Sequence, residues 1–141
     1  MSFSDVREYF RSNMESLDFK EHKDPFNTEN ISSNIIDRSF QLTNGSISLA
    51  LASQSTMYSA NVGMQLNVFY KGYNDVSGEL DLAMDDIDII NAVILKASNR
   101  LGLGIKDVVP ISVETLVLGP TNDTILVMQY NYTVKLLCNY N

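Results

Sequence analysis

The chain has 141 residues, 45% of them hydrophobic and 19% charged, which suits one globular domain over residues 1–141 with a core of useful size. Its net charge of -7 and dispersed Lys and Arg argue against a surface that grips nucleic acid. A lone cysteine, Cys138, excludes an intrachain disulfide and with it a disulfide-built secreted scaffold.

Ser4 suits a helix N-cap with Asp5 in the first turn, and Phe3, Val6, Phe10, Met14 and Leu17 recur at steps of three and four. That spacing predicts an amphipathic helix ending near Asn13 to Ser16. From Asp18 to Asn34 the pattern dissolves into charged and turn-forming residues around Asp24-Pro25, which predicts a long surface loop with room for a short strand at Leu17 to Lys20. His22 lies in this loop beside Glu21 and Lys23, with no catalytic or metal-binding partner nearby, and reads as solvated.

Ile35 to Thr43 and Ser46 to Ala52 flank Asn44-Gly45, the dipeptide that best tolerates the positive φ values of a tight type I′ turn; a β-hairpin is expected there. Ser53 to Asn61 is polar apart from Met57 and Tyr58 and reads as a loop or an arm that orders against a neighbour. Val62 to Lys71 alternates as a strand, with Phe69 interrupting the polar face. Gly72 to Asp75 turns the chain.

Glu79 to Ser98 lacks proline and glycine, begins acidic and is followed by Arg100, which predicts the main helix. Its apolar arc, from Leu80, Ala83, Met84, Ile87 and Ile94 to Leu82, Ile89, Ile90, Val93 and Leu95, is wide enough to serve the sheet and a second partner, either the first helix or another subunit. Asp81, Asp85, Asp86 and Asp88 cluster on it, and without ligands from a second element they read as a solvated acidic face. Leu101-Gly-Leu-Gly follows a helix where a phosphate loop would precede one.

Val108 to Leu118 is rich in β-branched residues, and Pro110 places its start at an edge or a bulge. The turn cluster Gly119 to Asp123 closes a second hairpin onto Asp123 to Cys138, where Leu126, Met128, Tyr130, Tyr132, Val134, Leu136 and Cys138 define one apolar face. A strand this long crosses a whole sheet or projects beyond it.

The element order gives an α+β fold: a mixed, mostly antiparallel sheet with projecting β-hairpins, one face covered by an N-terminal helix and a long central helix. Projecting apolar strands invite aggregation unless a partner covers them, which favours a symmetric assembly. Four Asn-x-Ser/Thr triplets, beginning at Asn30, Asn44, Asn122 and Asn131, read as chance, because MSFSDVREYF has no signal-peptide apolar region; the expected compartment is cytoplasmic, with no membrane segment.

The N-terminal helix, the acidic Pro-containing loop, the strand entered through Asn34-Ile35-Ile36-Asp37-Arg38-Ser39-Phe40, the strand leaving through Val68-Phe69-Tyr70-Lys71-Gly72-Tyr73-Asn74-Asp75 into a long helix, and the last hairpin through Thr121-Asn122-Asp123 together resemble the tail terminator (tail completion) proteins of long-tailed bacteriophages. The resemblance covers nearly the whole chain. It implies a structural virion protein, not an enzyme, with no cofactor and no metal: a homohexameric ring at the head-proximal end of the tail, assembled in the host cytoplasm. Such a ring caps the tail tube, stops its polymerisation, offers a docking surface to the head connector or neck protein, and leaves a channel through which DNA passes without sequence-specific binding.

The segments that reach neighbours are expected at Asn44, Gly45 and Ile47, at Met57 and Tyr58, at Tyr130, and at Asn122 and Asp123. Three alternatives stay open at this point: another head-tail connector, neck or tail-tube subunit; a small-molecule-binding α+β module or enzyme; and a toxin-antitoxin or other nucleic-acid binder, which the charge disfavours.

Overall fold

A computed structural model describes residues 3–21, 38–51, 57–73, 76–100, 104–118 and 124–139. The elements in chain order are α1 (Phe3–Ser16), β1 (Lys20–Glu21), β2 (Ser39–Leu51), β3 (Met57–Tyr73), α2 (Val76–Ile94), a 3-10 turn (Ala97–Arg100), β4 (Ile105–Leu118) and β5 (Thr124–Asn139). His22, Asn122 and Asp123 lie outside the described residues.

The strands form one five-stranded sheet in the order β1-β2-β3-β5-β4. Only β1 and β2 run parallel; β2–β3, β3–β5 and β5–β4 are antiparallel, so the expected mixed, mostly antiparallel α+β fold is what the chain adopts. Its centre is the long β3–β5 ladder, from Met57 opposite Asn139 to Tyr73 opposite Thr124. The even-numbered side chains of that ladder, from Val62 to Tyr70 and from Leu126 to Leu136, are buried in a single cluster with residues of both helices.

α1 contributes Val6, Phe10 and Met14, all fully buried, together with Tyr9. It stops in a Schellman motif: the Phe19 N–H donates to the Met14 carbonyl (3.2 Å) and the Asp18 N–H to the Glu15 carbonyl (3.0 Å), with Asp18 at φ 65°. Phe19, the residue after the cap, is buried in the same apolar cluster as Met14. α2 begins three residues before the expected Glu79 and ends at Ile94, short of the expected Ser98. The Ile94 carbonyl accepts the Tyr9 hydroxyl at 2.6 Å, so a carbonyl of the last turn is satisfied by α1 and the chain is free to leave the helix.

Asn44-Gly45 does not turn the chain, in contrast to the hairpin expected there. β2 runs straight through it and pairs along its whole length with β3, from Ser39 opposite Phe69 to Leu51 opposite Tyr58. Between Asn44 (opposite Met64) and Ile47 (opposite Val62), Gly45 and Ser46 face Gly63 alone, which is a β-bulge. The extra residue shifts the positions on the face of Phe40 and Leu42 from even to odd, to Ile47 and Leu49 opposite Val62 and Ala60, and that change of parity mimics the break a turn would make. A two-residue turn would have let the two halves of β2 pair only with each other, whereas β3 offers both halves a long ladder. For the same reason, residues 57–61 are not the expected loop but the first part of β3.

Candidate assembly surface

Among the described residues, the two long hairpins leave the sheet with two free edges. β1 pairs with β2 at Ser39 and Phe40, and every residue from Asn44 to Leu49 is exposed. On the far side, β4 is flanked by β5 alone; Pro110, Ile111 and Glu114 to Val117 are exposed. Pro110 therefore sits on an edge and beside a register irregularity, as its missing N–H demanded.

Both edges carry apolar side chains in water. Ile47 and Leu49 are 46% and 58% exposed on β2, and Ile111, Leu116 and Val117 are 61%, 41% and 57% exposed on β4. Helix α2 adds Leu80, Leu82, Met84 and Ile89 on the flanks of its buried stripe, so the second half of its wide apolar arc faces solvent in the single chain.

Of the residues expected to reach neighbours, Asn44 and Gly45 lie exposed at the bulge and Ile47 exposed just past it. The Arg7 guanidinium donates to Asn44 Oδ1 at 2.9 Å, which ties the start of α1 to the bulge. Met57 and Tyr58 open β3, opposite Asn139 and Cys138. Tyr130 is a correction: it is fully buried between the sheet and the helices, its ring stacked on Tyr132 with centroids 6.4 Å apart, so it belongs to the private core. Its even position on β5 places it on the helix-covered face, whatever its aromatic character suggests.

Leu49, Ile111, Leu116 and Val117 were missed by the sequence reading. Leu116 and Val117 are neighbours and no alternation marks both, so their exposure becomes visible only once β4 is known to lie at an edge.

The sheet face away from the helices is polar across its middle. In one register row Thr43 Oγ1 donates to Gln65 Oε1 (3.1 Å), Gln65 Nε2 to Asn131 Oδ1 (3.2 Å) and Asn131 Nδ2 to Ser112 Oγ (3.1 Å), a rung of side-chain hydrogen bonds crossing β2, β3, β5 and β4. Beside it, at the bulge, opens a cleft of about 340 Å³ lined by Thr43, Asn44, Gly63, Gln65, Asn131 and Tyr132. Its described lining mixes amides and hydroxyls with Met64 and glycine backbone, and Tyr132 in it donates its hydroxyl to Asn91 Oδ1 at 2.7 Å. Burial pushes the Tyr132 phenol far above its ordinary range, so it stays protonated and supplies no base.

The four aspartates of α2 separate. Asp81, Asp85 and Asp88 are exposed, while Asp86 is buried and accepts hydrogen bonds from Tyr70 (2.8 Å) and from Arg38 Nη2 (3.1 Å). It is a structural anchor, not part of the acidic face. Among the described residues no group of three or more His, Cys, Asp and Glu side chains is placed to hold a metal ion, and no helix is long and apolar enough to cross a membrane. Compared with known proteins, the chain matches no family model and no curated sequence.

Proposed function

We propose that this chain is a structural, ring-forming protein of the tail-terminator kind: copies close into a ring that caps a tail tube, halts its growth and presents a docking surface to the head connector, with a channel for DNA. One observation carries the reading. Among the described residues the sheet has two free edges, each set with exposed apolar residues, Ile47 and Leu49 on one and Ile111, Leu116 and Val117 on the other. A lone domain built this way is an aggregation hazard, whereas a closed cyclic assembly buries both edges at once. Heterologous contacts of this type need a different patch on each side of the subunit, and β2 and β4 are such a pair.

The net charge of -7 per copy suits a wall that a polyanion passes without adhering.

Light scattering across concentration and salt, followed by electron microscopy of the particles, tests the proposal. The expected result is a ring of about six copies with a central opening, which cosediments with tail tubes and blocks their further growth. A chain that stays monomeric at every concentration and does not sediment with tubes would sink it.

A further inference from the structure

The direction of the strands says how the copies join. β2 is antiparallel to β3, β3 to β5 and β5 to β4, so the two free edges of one sheet, β2 and β4, run in opposite directions. A second copy, set beside the first with its helices on the same side, therefore presents its β4 antiparallel to the first copy's β2, and the alternation of the sheet continues across the boundary. We propose that copies of this chain join head to tail by adding the free edge of β4 in one copy to the free edge of β2 in the next. This inference rests on the ring reading above and names the surfaces that make it.

The two edges differ in a way that favours this pairing. β2 carries no edge guards of its own: its residues, Ser39 to Leu51, include no charge and no proline, and among the described residues β1 pairs with the first two of them and Asn44 to Leu49 stand exposed. Such an edge is a ready template for an incoming strand. β4 carries Lys106, Asp107 and Pro110 in its first half and two register irregularities, devices that bar a long flat pairing with a second β4. From Ser112 to Leu118 it runs without irregularity, and that half holds exposed Leu116 and Val117.

A two-fold contact between two β2 strands would leave Ile111, Leu116 and Val117 of both copies in water, whereas the head-to-tail contact covers both edges of every copy. Val117 stands level with Leu126 of β5, and Ile47, through Val62, level with Val134. Val117 shares the sheet face of Ile47 and Leu49, and bringing the three together slides each copy along its neighbour's strands. A constant slide of this kind is what tilts the strands of a closed barrel.

The test uses two double variants at exposed positions, Ile47→Lys with Leu49→Lys on β2 and Ile111→Lys with Val117→Lys on β4, each first checked for native secondary structure by circular dichroism. Sedimentation velocity should find each variant alone impaired in assembly by about tenfold or more, and an equimolar mixture should form a one-to-one heterodimer, because each supplies the edge that the other lacks. Amide exchange on the wild-type ring provides a readout free of mutation, with protection expected along residues 41–51 and 111–118 relative to dissociated subunits.

A β4 variant that dimerises by itself overturns the head-to-tail contact in favour of the two-fold one. Variants that both form the wild-type ring, or a ring whose amides at both edges exchange freely, overturn the edge contact while the ring reading stands. A wild-type chain that never assembles takes both down.

Discussion

Tyr70 and Asp86 meet in the core across 2.8 Å, the hydroxyl of β3 donating to a carboxylate of α2 that is 2% exposed. Arg38, at φ 57° just before β2, reaches the other oxygen of the same carboxylate at 3.1 Å and lies 4.8 Å over the Phe19 ring. One aspartate thus fastens the main helix to the sheet and to the point where β2 begins. Removing it leaves a buried hydroxyl and a guanidinium without their acceptor. Arg38 is 43% exposed, so water compensates part of the lost ion pair, and Asp86→Ala is expected to cost about 2–3 kcal/mol where a fully buried pair would cost more. Asp86→Asn keeps one acceptor and should cost about half as much. Urea unfolding monitored by circular dichroism measures both.

Tyr70, Tyr130 and Tyr132 share a prediction about alkaline pH. Burial raises all three phenols well above their ordinary value, and for Tyr70 the neighbouring Asp86 carboxylate raises it further. The sign follows from linkage: in the unfolded chain these groups ionise near pH 10, while in the folded chain they keep their protons. Their contribution is therefore fully present below about pH 10 and is lost as pH rises beyond it. A pH titration of tyrosinate absorbance should show these tyrosines ionising only with cooperative unfolding. A smooth, non-cooperative titration of all seven tyrosines would refute the buried cluster.

The sequence made the core legible and hid the edges. Val6, Phe10 and Met14 at helical spacing, and Leu126 to Leu136 at period two, announced their burial because one covered face leaves a periodic trace. Asn44-Gly45 misled because local turn propensity competes with a long tertiary ladder, and a bulge changes parity just as a turn does. Asp86 was hidden among three exposed aspartates, since only the helix's orientation on the sheet distinguishes it. Which strands are outermost depends on the β3–α2–β4 crossover, which places β4 beyond β5, and no local pattern encodes that.

Asp18 offers a gain in stability. It occupies the left-handed position of the α1 cap at φ 65°, where a side chain costs energy that glycine does not incur. Its N–H already completes the motif by donating to the Glu15 carbonyl, so the backbone needs no rearrangement. Asp18→Gly should stabilise the fold by about 0.5–1 kcal/mol, read as a higher urea midpoint at unchanged slope. Asp18→Val, β-branched at the same φ, should lose more than the glycine gains.

Tyr130 and Ile47 are the pair that separates the core from the proposed assembly surface. Tyr130 is fully buried and its hydroxyl has no hydrogen-bond partner among the described residues, so Tyr130→Phe removes a desolvated polar atom at nearly constant shape and should be neutral or stabilising by up to about 1 kcal/mol. Tyr130→Asp places a charge in the same apolar space and is expected to cost about 4 kcal/mol or more, enough to unfold a domain of ordinary stability. Ile47 stands at 46% exposure, so Ile47→Asp should change monomer stability by no more than about 0.5 kcal/mol. Its effect should fall on self-association, seen as a loss of high-mass species in sedimentation without a shift in the unfolding midpoint of dissociated subunits. An Ile47→Asp chain that unfolds would place the distal half of β2 in the private core and remove the edge from consideration as a contact.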